Sequence, residues 1–173
     1  MKKINTSNIT EEAKTLCAGD DVLLSGTVYT ARDAAHARLC KMIENGEELP
    51  FPLDGAVIYY AGPTPARDGM AIGSCGPTTS SRMDKFAPML IENGLAGMIG
   101  KGKRSPSVIE AMKAHGAVYF CAIGGAGALY AKCVRSAEVI AFDDLGCEAV
   151  RRLEVEDFHL IVGIDSLGNS VLK

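Results

Sequence analysis

Repeatedly along this chain of 173 residues a short apolar run ends in a polar, glycine-bearing loop and passes straight into a helix pattern. That order limits the fold more than any other feature. DDVLLSGTVY leads into TARDAAHARLCKMIENG, LAGMIGKG into RSPSVIEAMKAHG, and AVYFCAI into GGAGALYAKCV. A strand followed by a helix and another strand forms a crossover, and crossovers build parallel sheets. Between the first and second units the pattern changes. GAVIYYAGP and GMAIGSCGP read as two successive strands joined by the turn ARDG, a hairpin-like pair. The chain closes on strand-like pieces: EVIAFDDLG, AVRRLEVEDF and HLIVGID, with a turn at DSLGN. The expected fold class is therefore α/β, a mixed, partly parallel sheet with a helical layer, in one domain over residues 1–173. Two sheets sharing one helical layer fit the same order.

The helices carry their own punctuation. Thr30 with Asp33 resembles a capping box, and Ala31, Ala35, Leu39, Met42 and Ile43 follow at helical spacing. Ser81 with Asp84 repeats the box ahead of Met83, Phe86, Leu90 and Ile91, with Pro88 early enough to be tolerated. Ser105-Pro106 opens the next helix and Gly116 lies beyond its end.

Hydrophobic residues make up 47% and aromatics only 6%, without tryptophan, so the core is aliphatic. A net charge of -3 argues against a nucleic-acid surface or a membrane-binding patch. No apolar run approaches the roughly 20 residues of a membrane span. MKKINTSNITEEAK has no apolar stretch behind its lysines, so a secretory signal is not expected and the cytoplasm is the simplest location. The six cysteines (17, 40, 75, 121, 133 and 147) form neither a CxxC nor a zinc-ligand spacing with histidine, and read as reduced thiols.

Chemistry is expected where strand-to-helix loops gather at the carboxyl edge of the sheet. Three such loops, 27–36, 73–82 and 99–105, contain Arg32, Arg82, Lys101, Lys103 and Arg104, a local positive funnel in an acidic chain. Arg32 opposes the dipole of its helix, a cost of up to about 1 kcal/mol that an incoming anion would offset. His36 lies four residues on; taken alone, either residue also reads as an ordinary solvated or satisfied side chain. GSCGPTTSSRMD is richer. One cap accounts for one or two of Thr78, Thr79, Ser80 and Ser81, but not for all four and Arg82, so the loop fits a carboxylate or phosphate held at a helix N-terminus. GKGKRS lacks a full phosphate-loop motif, and AIGGAG reads as a tight turn. Residue chemistry stops at a small anion, such as a dicarboxylate.

SGTVYTARDAAHARL, YYAGPTPARDGMAIGSCGPTTSSRMD, GMIGKGKRS and VYFCAIGGAGAL together resemble the β subunit, or C-terminal half, of class I fumarate hydratases and the related tartrate dehydratases. The similarity runs from about residue 15 to 170. It implies a swivelling β/β/α domain and an iron–sulfur hydro-lyase. The [4Fe–4S] cluster is expected on a partner α subunit, not on this chain, in a heterodimer or heterotetramer. By position, Thr78 matches a candidate catalytic base and His36 a histidine regarded as catalytic. Arg32, Arg82 and Lys101 match substrate-binding cations, and Thr79 accompanies them. The resemblance leaves two substrates open, fumarate with L-malate or L(+)-tartrate, and beside them a non-catalytic dicarboxylate-binding module.

Overall fold

The computed structural model describes residues 1–173. Strand β1 (Lys2–Asn5) and a short helix α1 (Ile9–Ala13) precede β2 (Asp21–Thr30), α2 (Asp33–Glu44) and β3 (Val57–Tyr59). After a long irregular segment come a 3-10 turn at Ser80–Met83, then α3 (Ala87–Glu92), β4 (Gly97–Gly100), α4 (Pro106–His115), β5 (Val118–Cys121) and α5 (Gly127–Ala131). Strand β6 (Val134–Ala141), a second 3-10 turn at Asp143–Glu148 and β7 (Val150–Ile164) complete the order.

Strands β1 to β5 pair in parallel, each with the next. The last strand closes the arrangement. β7 runs antiparallel to β2 from Thr30↔Arg151 to Asp21↔Ile161, and its far side pairs with β6 and then with β5. Its 15 residues thus tie both sides of the parallel sheet together.

Burial resolves three layers. On β3, β4 and β5, Ile58, Met98 and Tyr119 face one way with Leu39, Leu90, Ile91, Val108 and Met112 of the helices. Val57, Tyr59, Ile99, Val118 and Phe120 face the other way, against Val22, Leu24 and Val28 of β2 and Leu153, Phe158 and Leu160 of β7. The central strands are covered on both faces, which is why they read as unbroken apolar runs. A fully buried Leu or Ile contributes about 1.5–3 kcal/mol, so the twin cores outweigh any single polar contact described below. The layering is β/β/α, the mixed α/β class expected.

Several local expectations are corrected. GMAIGSCGP forms no strand, and no hairpin pairs it with β3. The segment is instead held by scattered bonds: Thr64 N to Ser74 O at 3.0 Å, Cys75 N to Gly127 O at 3.0 Å and Tyr59 OH to Cys75 O at 2.5 Å. Gly73 packs so closely on Thr64 and Pro65 that no side chain fits there. Thr30 does not cap α2. It is the last residue of β2, fully buried, and its hydroxyl accepts from Arg151 N at 3.1 Å; Arg32 takes the N-cap position. Ser81 does not form a capping box with Asp84, whose carboxylate serves Arg104 and Ser105 instead. AVRRLEVEDF and HLIVGID are one strand, with Asp157 at φ 51 as an irregularity within it. Ser105 and Gly116 do flank α4, the glycine at φ 73. No helix is long and apolar enough to cross a membrane.

Candidate active site

The carboxyl ends of β2, β3 and β4 open onto one edge, and the singled-out residues lie on the segments leaving them. β2 ends at Thr30, and Ala31 N bonds Tyr59 O at 3.1 Å, which sets Arg32 beside the end of β3. The long segment after β3 returns to the same edge. Thr78 N donates to Tyr60 O at 2.7 Å, and Thr79 bridges in parallel to Lys101, the residue after β4. Ser80 N to Lys101 O at 2.9 Å fixes that register. Both threonine hydroxyls remain free of bonds within the chain, with Thr78 half-buried and Thr79 exposed.

Arg82 follows in the 3-10 turn and reaches across to α2. Its Nε and Nη2 meet Asp33 Oδ2 at 2.9 and 2.7 Å. Arg32, the neighbour of Asp33, directs its Nε towards Glu148 Oε1 at 3.8 Å. Gly62 makes room for this guanidinium: a Cβ there would lie 3.2 Å from Arg32 Cδ and Nη1 and 3.3 Å from Cys147 O. Lys101 is exposed and makes no ion pair; its Nζ rests 3.6 Å from where a Gly124 Cβ would be. The edge thus gathers Arg32, Arg82, Lys101 and two threonine hydroxyls.

His36 is placed behind this edge, not on it. It is completely buried, stacked edge-on against Tyr60 with ring centroids 5.3 Å apart. Its Nδ1 lies 2.8 Å from the Arg32 carbonyl, so in the matching tautomer Nδ1–H donates and Nε2 keeps a lone pair. Burial pushes its pKa down from 6.5 to about 4, against the smaller upward pull of that hydrogen bond. The ring is neutral at physiological pH.

The buried side-chain polar atoms without a partner in the chain are Arg32 Nε, Asp33 Oδ1, His36 Nε2 and Glu148 Oε1. They belong to one neighbourhood. Native interiors satisfy nearly all such atoms, so this concentration marks a place where further polar groups are received.

Sequence reasoning missed several members. Asp33 reads in the sequence as a capping residue and is in the structure the anchor of Arg82. Glu148 carried no motif. Arg104, expected in the positive funnel, is buried: Nε donates to Asp84 Oδ1 at 2.8 Å, Nη2 to Tyr60 OH at 3.1 Å, and its head lies 4.9 Å from the Tyr119 ring. Tyr119 OH in turn meets Ser80 Oγ at 2.8 Å and donates to Gly102 O at 2.9 Å. Arg104 therefore braces the loops under Thr79 and Lys101 from within.

No three His, Cys, Asp or Glu side chains assemble into a set that could hold a metal ion. Cys40 and Cys75 are buried, with thiols pushed up by burial to about 11 and about 12, which disfavours the thiolate that metal ligation requires. The residues of this chain do not fit an iron–sulfur cluster.

A β/β/α domain with paired arginines and hydroxyls at its parallel-strand edge is the class of protein defined so far. The family described as Fumarase C-terminus matches residues 1–173, and the chain belongs to it. It is 43% identical over 155 residues to Fumarate hydratase 2 of Leishmania major, covering 88% of this chain and 27% of that protein. Against the aerobic class I fumarate hydratase of Escherichia coli K12 the identity is 43% over 152 residues, 87% of this chain and 28% of that protein. A Methanocaldococcus jannaschii protein provisionally named L(+)-tartrate dehydratase subunit beta is 40% identical over 169 residues, covering 94% of this chain and 87% of its own length. The chain thus spans a little over a quarter of the fumarate hydratases but nearly all of the subunit-sized relative.

Proposed function

We propose that this chain is the β subunit of a two-chain hydro-lyase that reversibly hydrates fumarate to L-malate. The observation that carries the reading is the convergence of Arg32, Arg82, Lys101 and the free Thr78 hydroxyl on one edge, around the chain's unpartnered buried polar atoms. A [4Fe–4S] cluster, as the family resemblance implies, belongs in this reading to an α subunit, in a heterodimer or heterotetramer.

The chain's own share of the work follows from its side chains. Guanidinium groups grip planar carboxylates at two points, so Arg32 and Arg82 hold the two ends of the diacid, with Lys101 as a point charge beside them. Thr79 lines the same rim. Thr78 faces the carbon-bound hydrogen and takes its proton. A threonine hydroxyl is a weak base, so the surrounding cations must favour its alkoxide, and the same cations stabilise the negative charge that develops on the substrate. His36, neutral and bonded to the Arg32 carbonyl, holds the arginine's backbone in place.

One observation favours a second substrate. The tartrate dehydratase relative matches this chain almost end to end, as a separate subunit would. The deciding experiment co-expresses the chain with a cysteine-bearing α chain, reconstitutes the pair anaerobically with iron and sulfide, and compares turnover of L-malate, fumarate and L(+)-tartrate. Preference for malate and fumarate supports the first reading and preference for tartrate the second. A pair that turns over none of them, while still binding diacids, leaves the non-catalytic module.

A further inference from the structure

The two arginines at the edge are each approached on the Nε side by a carboxylate of the chain itself, Arg82 at hydrogen-bond distance and Arg32 at the longer reach of an ion pair. Arg82 presents Nε and one hydrogen of Nη2 to Asp33 Oδ2, at 2.9 and 2.7 Å. Arg32 presents Nε to Glu148 Oε1, at 3.8 Å, and neither of its Nη atoms bonds any group of the chain. A guanidinium is a rigid planar fork with five N–H donors. A carboxylate on its Nε side leaves the opposite Nη1–Nη2 side pointing outward, with its two-point spacing intact.

Location strengthens the parallel. Asp33 is the first residue of α2, where an acid is favoured by the helix dipole, and it directly follows Arg32 at the N-cap. Glu148 ends the 3-10 turn that leads into β7. The two anchors therefore reach the site from segments more than a hundred residues apart in the chain. Three of the four buried unpartnered atoms, Arg32 Nε, Asp33 Oδ1 and Glu148 Oε1, belong to this double pair.

We propose that Asp33 and Glu148 are positioning residues. Asp33 holds Arg82 by hydrogen bonds and Glu148 draws Arg32 by ion pairing, both on the Nε side, and so they aim both Nη edges at the two carboxylates of a single diacid. The inference rests on the dicarboxylate reading above and names the residues that orient its grip. It also sets the electrostatics: two of the three cations at the edge are matched by internal anions, so the site selects by orientation of donors more than by bulk positive charge.

Arginine Nε–H signals in the 15N-labelled full chain read the anchoring directly, without turnover. Beside the protected Nε–H of buried Arg104, that of Arg82 is expected to exchange slowly and to lose its protection in Asp33→Ala, and that of Arg32 to shift in Glu148→Ala. Titrated with succinate, a four-carbon diacid that does not react, each Ala variant should bind about tenfold more weakly than the unaltered chain or worse, the scale of losing one oriented charge-assisted contact. Asp33→Asn and Glu148→Gln keep side-chain size and an acceptor oxygen, and should recover part of the loss. In the reconstituted pair the same Ala variants should raise KM for the diacid more than they lower kcat. Unchanged Nε–H signals, or succinate affinity within about twofold of the unaltered chain in both Ala variants, overturn the proposal. If the signals and the succinate dependence hold but the unaltered pair turns over no substrate, the hydro-lyase reading fails and the anchoring stands.

Discussion

Arg104 donates from Nε to Asp84 Oδ1 across 2.8 Å while its side chain is 0% exposed and that of Asp84 only 12%. A buried charge that loses its partner is left uncompensated, which costs about 3–5 kcal/mol. Asp84→Ala is expected to destabilise the chain by that amount, and guanidinium unfolding measures it. Because Arg104 also reaches Tyr60 OH and stacks on Tyr119, Arg104→Lys should not restore what Arg104→Ala removes.

The buried imidazole of His36 gives a pH signature. Its folded pKa, about 4, lies below its ordinary 6.5. As pH falls through 6.5 the unfolded chain takes up a proton that the folded chain refuses, so stability is full above that point and is lost towards pH 4. The slope between pH 6 and 5 should approach about 1.4 kcal/mol per pH unit, a window above the range of most carboxylates. His36→Phe, which keeps the ring against Tyr60, should flatten this part of the stability profile. An equally steep profile in the variant would assign the slope to other groups.

Removal of the Thr78 hydroxyl tests the proposed base. In the reconstituted pair, Thr78→Ala and Arg82→Ala should each lower turnover by about 100-fold or more, the range for a positioned base or charge stabiliser. Thermal unfolding of either variant should stay near that of the unaltered chain, since Thr78 is half-buried and Arg82 exposed. Losses below about tenfold in both would detach these residues from the chemistry.

Gly100, at the end of β4, has no room for a side chain: a methyl there would overlap Ser80 Oγ and sit 2.8 Å from Tyr60 Cδ2. Gly100→Ala should therefore push the Ser80 turn outward, costing about 1–3 kcal/mol, the usual scale of overpacking. Gly62→Ala meets Arg32 Nη1 and Cys147 O at 3.2 and 3.3 Å, a milder crowding. Its effect should appear more in diacid affinity than in the unfolding midpoint.

Thiol labelling reads burial independently. Cys17 and Cys147 are exposed, whereas Cys40 and Cys75 are buried with thiols held protonated. Brief maleimide treatment of the native isolated chain should modify the first two and spare the other two, as peptide mass mapping would show.

The sequence disclosed what is local. The apolar runs of β2, β4 and β5 and the Ser105-Pro106 and Gly116 boundaries of α4 were readable because backbone preference and periodicity agree there. GMAIGSCGP was misread because an apolar run reports burial, and here Ile72 and Cys75 are buried without joining the sheet. β1 went unseen, since KKIN has a single buried residue, Ile4, and pairs on only one side. At the edge, cations and hydroxyls in strand-to-helix loops pointed to the right loops. The anchors did not show, because the partnerships of Asp33 with Arg82 and of Glu148 with Arg32 join residues far apart in the chain. Arg104 was misplaced for the same reason: a lone arginine in a polar loop looks solvated until Tyr60, Asp84 and Tyr119 close around it.

Strand β7 carries a consequence for biosynthesis. It supplies the antiparallel neighbour of β2, yet it leaves the ribosome more than a hundred residues later, with Thr30 waiting for Arg151 and Asp21 for Ile161. Until then the nascent chain exposes one flank of β2 and the apolar face that Phe158 and Leu160 will cover. A stalled or truncated product is therefore a sticky, half-shielded sheet, and the cell's holding chaperones are the natural guardians of that interval.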